Sequence, residues 1–311
     1  MIQKEQITEY KNFKLIRYFF NATKMKKEKL LVCTFSGGRT SAFMSQFINN
    51  YSKYNDFDKI FVFANTGKER EETLEFVNKC DKKFGLNIVW LEAKVNKQKN
   101  VGTSYKIVNF ETASRNGEPF ESMLKKYSMP NMFASNCTRE LKLRPINKYV
   151  KQLGYKEIKT AMGIRFDEKH RTSNMAKEEG VIYPLIDDIQ VDSKFVRSWW
   201  DNQEFDLKLK DYEGNCDLCF KKSLRKKLTI IKNNPSIAQW WDKMEQNHGT
   251  EKIPRFELAV NGKKGHSIKQ LIELAKKTFQ TVEDVHELSK KQTCLFDFDL
   301  DNEKDCFCKT T

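Results

Sequence analysis

The first clear hydrophobic run is Leu30-Leu31-Val32-Cys33-Thr34-Phe35, short and nearly continuous. Such a run predicts a strand buried on both faces. The period then changes. Phe43, Met44, Phe47 and Ile48 recur at three- and four-residue spacing, which predicts a helix over 41–52. Lys59 to Ala64 reads as a second strand ending at Asn65-Thr66-Gly67. An amphipathic helix follows from Glu69 to Phe84, with Gly85 as its stop. Asn87 to Glu92 predicts a third strand, Thr138 to Leu153 a helix closed by Gly154, and Glu157 to Ile164 a fourth strand. Strands alternating with helices predict an α/β fold with a parallel sheet.

Two regions break the alternation. Residues 94–130 are polar and turn-rich before a short helix, Glu121 to Tyr127, and read as an insertion of the lid or binding-loop kind. After about residue 190 the strands stop. Val191–Asn202, Ser223–Asn233, Ser236–Asn247 and Ser267–Lys277 all read as helices. Trp199-Trp200 and Trp240-Trp241 are expected in the core of this helical half rather than as base-stacking platforms. The chain therefore divides into an N-terminal appendage, 1–24, an α/β domain, 25–190, and a helical domain, 191–311. Met25 is a second possible start.

Composition narrows the class. Of 311 residues, 39% are hydrophobic and 32% charged. No apolar run approaches the roughly 20 residues that span a membrane. The lysine-rich stretch from Met1 to Lys29 has no apolar core or small-residue cleavage site, so a cytoplasmic protein without a membrane partner is expected. With 56 basic against 42 acidic residues the net charge is +14, which suits a polyanionic partner, although a lysine-rich genome gives the same excess. Between Asp217 and Asp242 there is no acid, while Lys221, Lys222, Arg225, Lys226, Lys227 and Lys232 accumulate. That run is either a nucleic-acid surface or a solvated helix face.

The sharpest chemistry lies between the first strand and the first helix, at Ser36-Gly37-Gly38-Arg39-Thr40-Ser41. Two glycines remove the Cβ atoms that would block close approach of the backbone. The N–H groups and the positive end of the helix dipole then face an anion. Ser36 and Ser41 add hydroxyls and Arg39 a fixed charge, so the segment reads as a phosphate cradle. Asn65-Thr66-Gly67 and Gly163-Ile164-Arg165 also fall at strand carboxyl ends, where open α/β sheets bind ligands.

Eight cysteines are present. Cys33 and Cys80 read as small core residues. Cys216-Asp217-Leu218-Cys219, after a turn and before a helix, suits a metal knuckle, with Cys137 and Cys306-Phe307-Cys308 as sources of further ligands. No His accompanies them at zinc-finger spacing, so a thiolate-only set points to an iron–sulfur cluster or structural zinc. A redox dithiol or a CxxC with no special chemistry are the other readings.

Four motifs together carry a resemblance: the Ser-Gly-Gly-Arg-Thr-Ser loop, Asn65-Thr66-Gly67-Lys68-Glu69, Cys137-Thr138-Arg139-Glu140-Leu141-Lys142 with Pro145, and Gly163-Ile164-Arg165-Phe166-Asp167-Glu168 with Arg171. They resemble the phosphoadenosine-phosphosulfate (PAPS) reductase-like family of the PP-loop, adenine-nucleotide α-hydrolase-like superfamily, over roughly residues 30–190. Gly214 to Phe220 and the Cys-x-Cys tail resemble a subgroup common in bacteriophages and bacterial mobile elements.

The resemblance implies a Rossmann-like PP-loop domain. Ser36, Gly37, Gly38, Thr40 and Ser41 would hold the phosphates of ATP or a related adenine nucleotide. Asn65, Thr66, Gly67 and Gly163 would border the pocket, and Arg165 and Arg171 would pair with phosphate or sulfate oxygens. Asp167 or Glu168 would help hold Mg²⁺. Arg39, Cys137 and Arg165 are the candidate catalytic groups.

The departures bear on the reaction. Arg39-Thr40 stands where ATP-pyrophosphatase relatives carry Lys-Asp. The Glu-Cys-Gly-Leu-His segment and the adjacent Cys-Cys pairs of sulfonucleotide reductases are missing from the sequence. Three readings result. One is ATP-dependent adenylation with pyrophosphate release, followed by sulfur transfer to tRNA or DNA beside a 4Fe-4S cluster. The second is sulfonucleotide (PAPS or APS) reduction with an unconventional cysteine. The third is a non-catalytic nucleotide- or nucleic-acid-binding module with structural zinc.

Overall fold

The computed structural model describes residues 28–98, 101–131, 135–214, 216–249 and 265–284. The N-terminal appendage and Cys294, Cys306 and Cys308 lie outside the described residues. Six strands form one sheet: β1 (Lys29–Phe35), β2 (Asp58–Asn65), β3 (Val89–Lys94), β4 (Ser104–Val108), β5 (Glu157–Ala161) and β6 (Val181–Ile182). Their order is β4-β3-β2-β1-β5-β6. All neighbours pair parallel except β3 and β4. The chain steps outward from β1 to β3 and then returns to the other side of β1 through β5. The carboxyl end of β1 is thus the point where strand order reverses, and that is where such sheets open a crevice.

The helices are α1 (Arg39–Asn50), α2 (Glu71–Phe84), α3 (Glu118–Tyr127), α4 (Arg144–Gln152), α5 (Pro184–Asp187), α6 (Ser193–Asp201), α7 (Leu224–Asn233), α8 (Ser236–His248) and α9 (Ile268–Lys276). Gly85 ends α2 in the left-handed conformation, φ 61°. The helix expected from Thr138 is in two parts: a π-helical turn over Thr138–Leu143, then α4. Pro145 in the first turn of α4 has no N–H and crowds the carbonyl four residues back, a physical reason for the wide turn before it.

Side-chain alternation along the strands builds two layers. Leu31, Cys33, Phe35, Phe61 and Phe63 face α1 and α2, while Leu30, Val32, Val62, Ala64 and Leu91 face Ile146 and Val150 of α4. Cys33 and Cys80 are fully buried in the first layer, and burial pushes both thiols well up. Trp200, from α6, belongs to this layer too and packs against Phe76 at 4.9 Å between ring centroids. A further core gathers Phe120, Met123 and Met129 from the insertion with Leu141, Leu218, Leu228, Ile231, Trp241 and Leu271. Trp199-Trp200 and Trp240-Trp241 are both packed as core, yet the first pair supports the sheet layer and only the second the helical half.

The insertion contributes β4, an antiparallel edge strand that its sequence does not announce. Ser104-Tyr105-Lys106-Ile107-Val108 has no buried face of its own, and Ile107 is 62% exposed, so its pairing with β3 makes the strand. Among the described residues no helix is long and apolar enough to cross a membrane.

Candidate functional site

The Gly37-Gly38 loop joins β1 directly to α1. Gly37 has φ +85°, and a Cβ there would lie 2.5 Å from Thr73 Cγ2 of α2. The fold itself requires this glycine. Gly38 is different. Its φ is −101°, and a Cβ there would meet only Ser36 Oγ, at 3.9 Å. Nothing among the described residues needs a glycine at this position, and they leave the space above it open. Gly38 is also the N-cap of a 12-residue helix and offers no side-chain cap. Residue 38 therefore supplies no capping acceptor to the first-turn N–H groups of α1, which stand at the positive end of the helix dipole.

The two loop serines have unequal roles. Ser41 Oγ is buried inside the loop; it accepts from Ser36 N (3.1 Å) and Ser36 Oγ (3.0 Å) and donates to Gly38 O (2.9 Å). Ser41 shapes the loop, and Ser36 and Thr40 stand nearer its surface. Gly163 lets the end of β5 pack against α1, since a Cβ would sit 3.2 Å from Ser41 Cα.

Arg165 reaches the loop from the β5 side. Its guanidinium donates to Thr40 Oγ1 at 3.1 Å and to both carboxylate oxygens of Asp167, at 3.0 and 3.1 Å. Arg171 is paired with Glu168. The two carboxylates expected to hold Mg²⁺ are thus engaged by arginines and do not form a cation-ligand set. Arg39 is committed to a distant segment of the chain. Its guanidinium clasps Asp206 at 2.7 and 2.9 Å and the carbonyls of Leu207 and Leu209 at 2.6 and 3.2 Å.

Asn65, Thr66 and Gly67 are brought to the same rim, but the Asn65 and Thr66 side chains are spent internally. Asn65 Nδ2 donates to Glu92 (2.7 Å) and Ser114 O (2.9 Å), and its Oδ1 accepts from Gly67 N (3.1 Å). Glu92, fully buried at the end of β3, also accepts from Ser114 Oγ and pairs with Lys106 at 2.8 Å. This carboxylate anchors the insertion to the rim. Its sequence signal was a lone acid inside the apolar run Val89-Trp90-Leu91-Glu92-Ala93.

The cysteine segment lies against the turn after β2. Cys216 forms a bridge with Glu69, and Asp217 N donates to Lys68 O at 2.9 Å. The Asp217 carboxylate receives Lys68 Nζ and Trp241 Nε1, each at 2.8 Å, and Lys68 Nζ sits 4.4 Å from the Trp240 ring centroid. Cys216 Sγ is 3.7 Å from Thr66 Oγ1. Burial, then the charges of Glu69 and Cys137, push the Cys216 thiol well up, against the opposing pull of Lys142. Cys137 and Cys219 pack partly buried against the same core.

The three cysteines thus share a neighbourhood, yet among the described residues no group of three or more His, Cys, Asp or Glu could hold a metal ion. The expected ligands Cys306 and Cys308 lie outside the described residues. The described side chains do not by themselves complete an iron–sulfur or zinc site, because no such ligand group is assembled among them. The basic run is also partly consumed: Lys222 Nζ donates to Tyr212 O at 2.8 Å, and the buried Lys227 donates to Phe220 O at 3.2 Å. Asp206, Lys68 and Asp217 were invisible as site residues in the sequence, since each matters only through a partner far along the chain.

Residues 30–180 match the family model of the phosphoadenosine phosphosulfate reductase domain. An uncharacterized nin region protein of Escherichia phage lambda is 33% identical over 199 residues, 63% of this chain and 67% of that protein. An uncharacterized Methanocaldococcus jannaschii protein is 26% identical over 58% of this chain, which spans only 38% of that relative. Two solved structures are more distant. A phosphoadenylyl-sulfate reductase of Candida auris, in a phosphate complex, has 16% identity and a TM-score of 0.34, covering 60% of this chain and 77% of its own. The U34-tRNA thiolase NcsA of Methanococcus maripaludis, with its 4Fe-4S cluster, has 17% identity and a TM-score of 0.37, covering 91% of this chain and 80% of its own. Scores this low say nothing about the reaction.

Proposed function

The chain belongs to the phosphoadenosine phosphosulfate reductase domain family, and from that premise we propose that it is a PP-loop enzyme that binds ATP or a related adenine nucleotide and opens it at the α-phosphate. One observation carries this reading: the open space over Gly38 at the uncapped start of α1, where β1 reverses the strand order. A phosphate there would meet backbone N–H groups and the helix dipole without displacing any side chain. Thr40 and Arg165 flank that position, 3.1 Å from each other, and would hold the phosphate oxygens that gain charge as pyrophosphate leaves.

The finer reading is adenylation of an oxygen on a nucleic acid, tRNA or DNA, followed by sulfur transfer. Net charge of +14 and the gathering of Cys137, Cys216 and Cys219 beside the rim support it. An iron–sulfur cluster would supply the sulfur chemistry in this scheme, and no step assigned to these residues depends on it. Magnesium likewise has no described ligand set.

The experiment is ATP turnover in the full chain, with and without tRNA or DNA. Pyrophosphate release stimulated by nucleic acid, lost in Gly38→Ala and reduced in Arg165→Ala, is the expected result. Sulfite release from PAPS with a thiol reductant, without pyrophosphate release from ATP, would overturn it in favour of sulfonucleotide reduction.

A further inference from the structure

Arg39 lies inside the loop that reads as the phosphate site, yet its guanidinium is committed to a distant segment of the chain. A guanidinium has five N–H donors. Nε and one terminal nitrogen take Asp206 in a fork at 2.7 and 2.9 Å, and that terminal nitrogen also reaches Leu207 O at 2.6 Å and Leu209 O at 3.2 Å. The other terminal nitrogen is 3.6 Å from Asp211 Oδ1. The backbone of Arg39 is held by the same region, since Trp200 Nε1 donates to Arg39 O at 3.0 Å. To reach a phosphate, the side chain would have to break a bidentate ion pair and leave two carbonyls of buried residues without their donor.

The segment that Arg39 holds is informative. Leu207 and Leu209 sink into the sheet layer, while Tyr212, three residues on, is already in the helical core. Glu213 then pairs with Arg70 at 2.9 Å, and Cys216 bridges Glu69. Residues 206–214 thus form a strap across the carboxyl rim, fastened first at the end of β1 and then at the turn after β2. Cys216 and Cys219 follow directly on its far end.

We propose that Arg39 is a positioning residue that fastens this strap to the phosphate loop and so fixes the cysteine segment relative to the bound nucleotide; it is not a phosphate ligand. The proposal rests on the loop being the nucleotide site. Lysine at this position could not do the same work, because only a planar fork satisfies a carboxylate and two carbonyls together.

The test compares wild type, Arg39→Ala, Asp206→Asn and the double variant by calorimetric titration with AMP, ADP and ATP, and by limited chymotrypsin cleavage within 205–212. Asp206→Asn keeps the shape and removes only the charge, so it carries the test if Arg39→Ala fails to fold. Each single variant is expected to weaken all three nucleotides by a similar factor, about tenfold, with the double variant no worse than Arg39→Ala. Cleavage in the strap should rise severalfold in Asp206→Asn. A loss in Arg39→Ala that grows with phosphate number, while Asp206→Asn binds as wild type, would make Arg39 a phosphate ligand and overturn the proposal. If wild type binds no adenine nucleotide, the loop reading fails, and the cleavage pattern still decides: an unchanged rate in Asp206→Asn removes the strap as well.

Discussion

The phosphate loop and the cysteine segment are built in opposite ways. The loop, 36–41, is made by its own sequence: a glycine with φ +85°, a serine that bonds within the loop, and the start of α1. The segment 216–219 is held in place by distant residues, Lys68, Glu69, Thr66 and Trp241. A locally built site keeps its shape and leaves an opening. A site built by distant partners is closed by them, and its thiol is buried among those that close it.

The most damaging way to probe that contrast is Asp217→Ala. It strands Lys68 in a buried position and removes the acceptor of Trp241 Nε1, so a loss of about 3–5 kcal/mol in urea unfolding is expected. A loss below 1 kcal/mol would show that the cysteine segment is not held this way. Next is Gly37→Ala, which meets both a left-handed backbone and Thr73 Cγ2 at 2.5 Å, with about 2 kcal/mol lost. Gly38→Ala is the sharpening counterpart. It should leave unfolding within about 0.5 kcal/mol of wild type while abolishing nucleotide binding, because only a ligand needs that space. Equal stability losses at the two glycines would erase the distinction.

The smaller effects are in pH. Cys33, Cys80 and Cys216 stay protonated in the fold beyond the ordinary thiol range, chiefly through burial. Above about pH 8.5 the unfolded chain has given up protons that the folded chain keeps, so stability falls as pH rises, by at most about 1.4 kcal/mol per unit for each thiol. Cys216→Ala should flatten part of that slope. Glu140 acts at the other end. Burial opposes its charge, but the Thr103 hydroxyl and the Arg139 and Arg144 guanidiniums outweigh it and hold its pKa below the usual carboxylate range. Its contribution is present above the ordinary carboxylate value and drains away as pH falls through the lowered one, and Glu140→Gln should remove that acid-side slope in unfolding curves.

Much of the α/β frame was legible because its signals are local. The apolar run 30–35 becomes β1, the spacing of Phe43, Met44 and Phe47 becomes α1, and Gly85 stops α2 where expected. β4 was not legible, because Ser104 to Val108 gains its strand only by pairing with β3. The phosphate loop could be picked out by its glycines, although the separate tasks of Gly37 and Gly38 could not. They differ in backbone φ, +85° against −101°, and through Thr73, a residue of another element.

By itself, then, the sequence determined the succession of strands and helices and the placing of a glycine-rich turn at a strand's carboxyl end, since periodicity and φ preference act over a few residues. The tertiary structure alone decided that β1 is the reversal point, that Arg39 clasps Asp206, and that Cys216 lies beside Thr66. Those outcomes depend on which distant backbone or carboxylate comes within 3–4 Å of a side chain, and no local pattern along the chain encodes that distance.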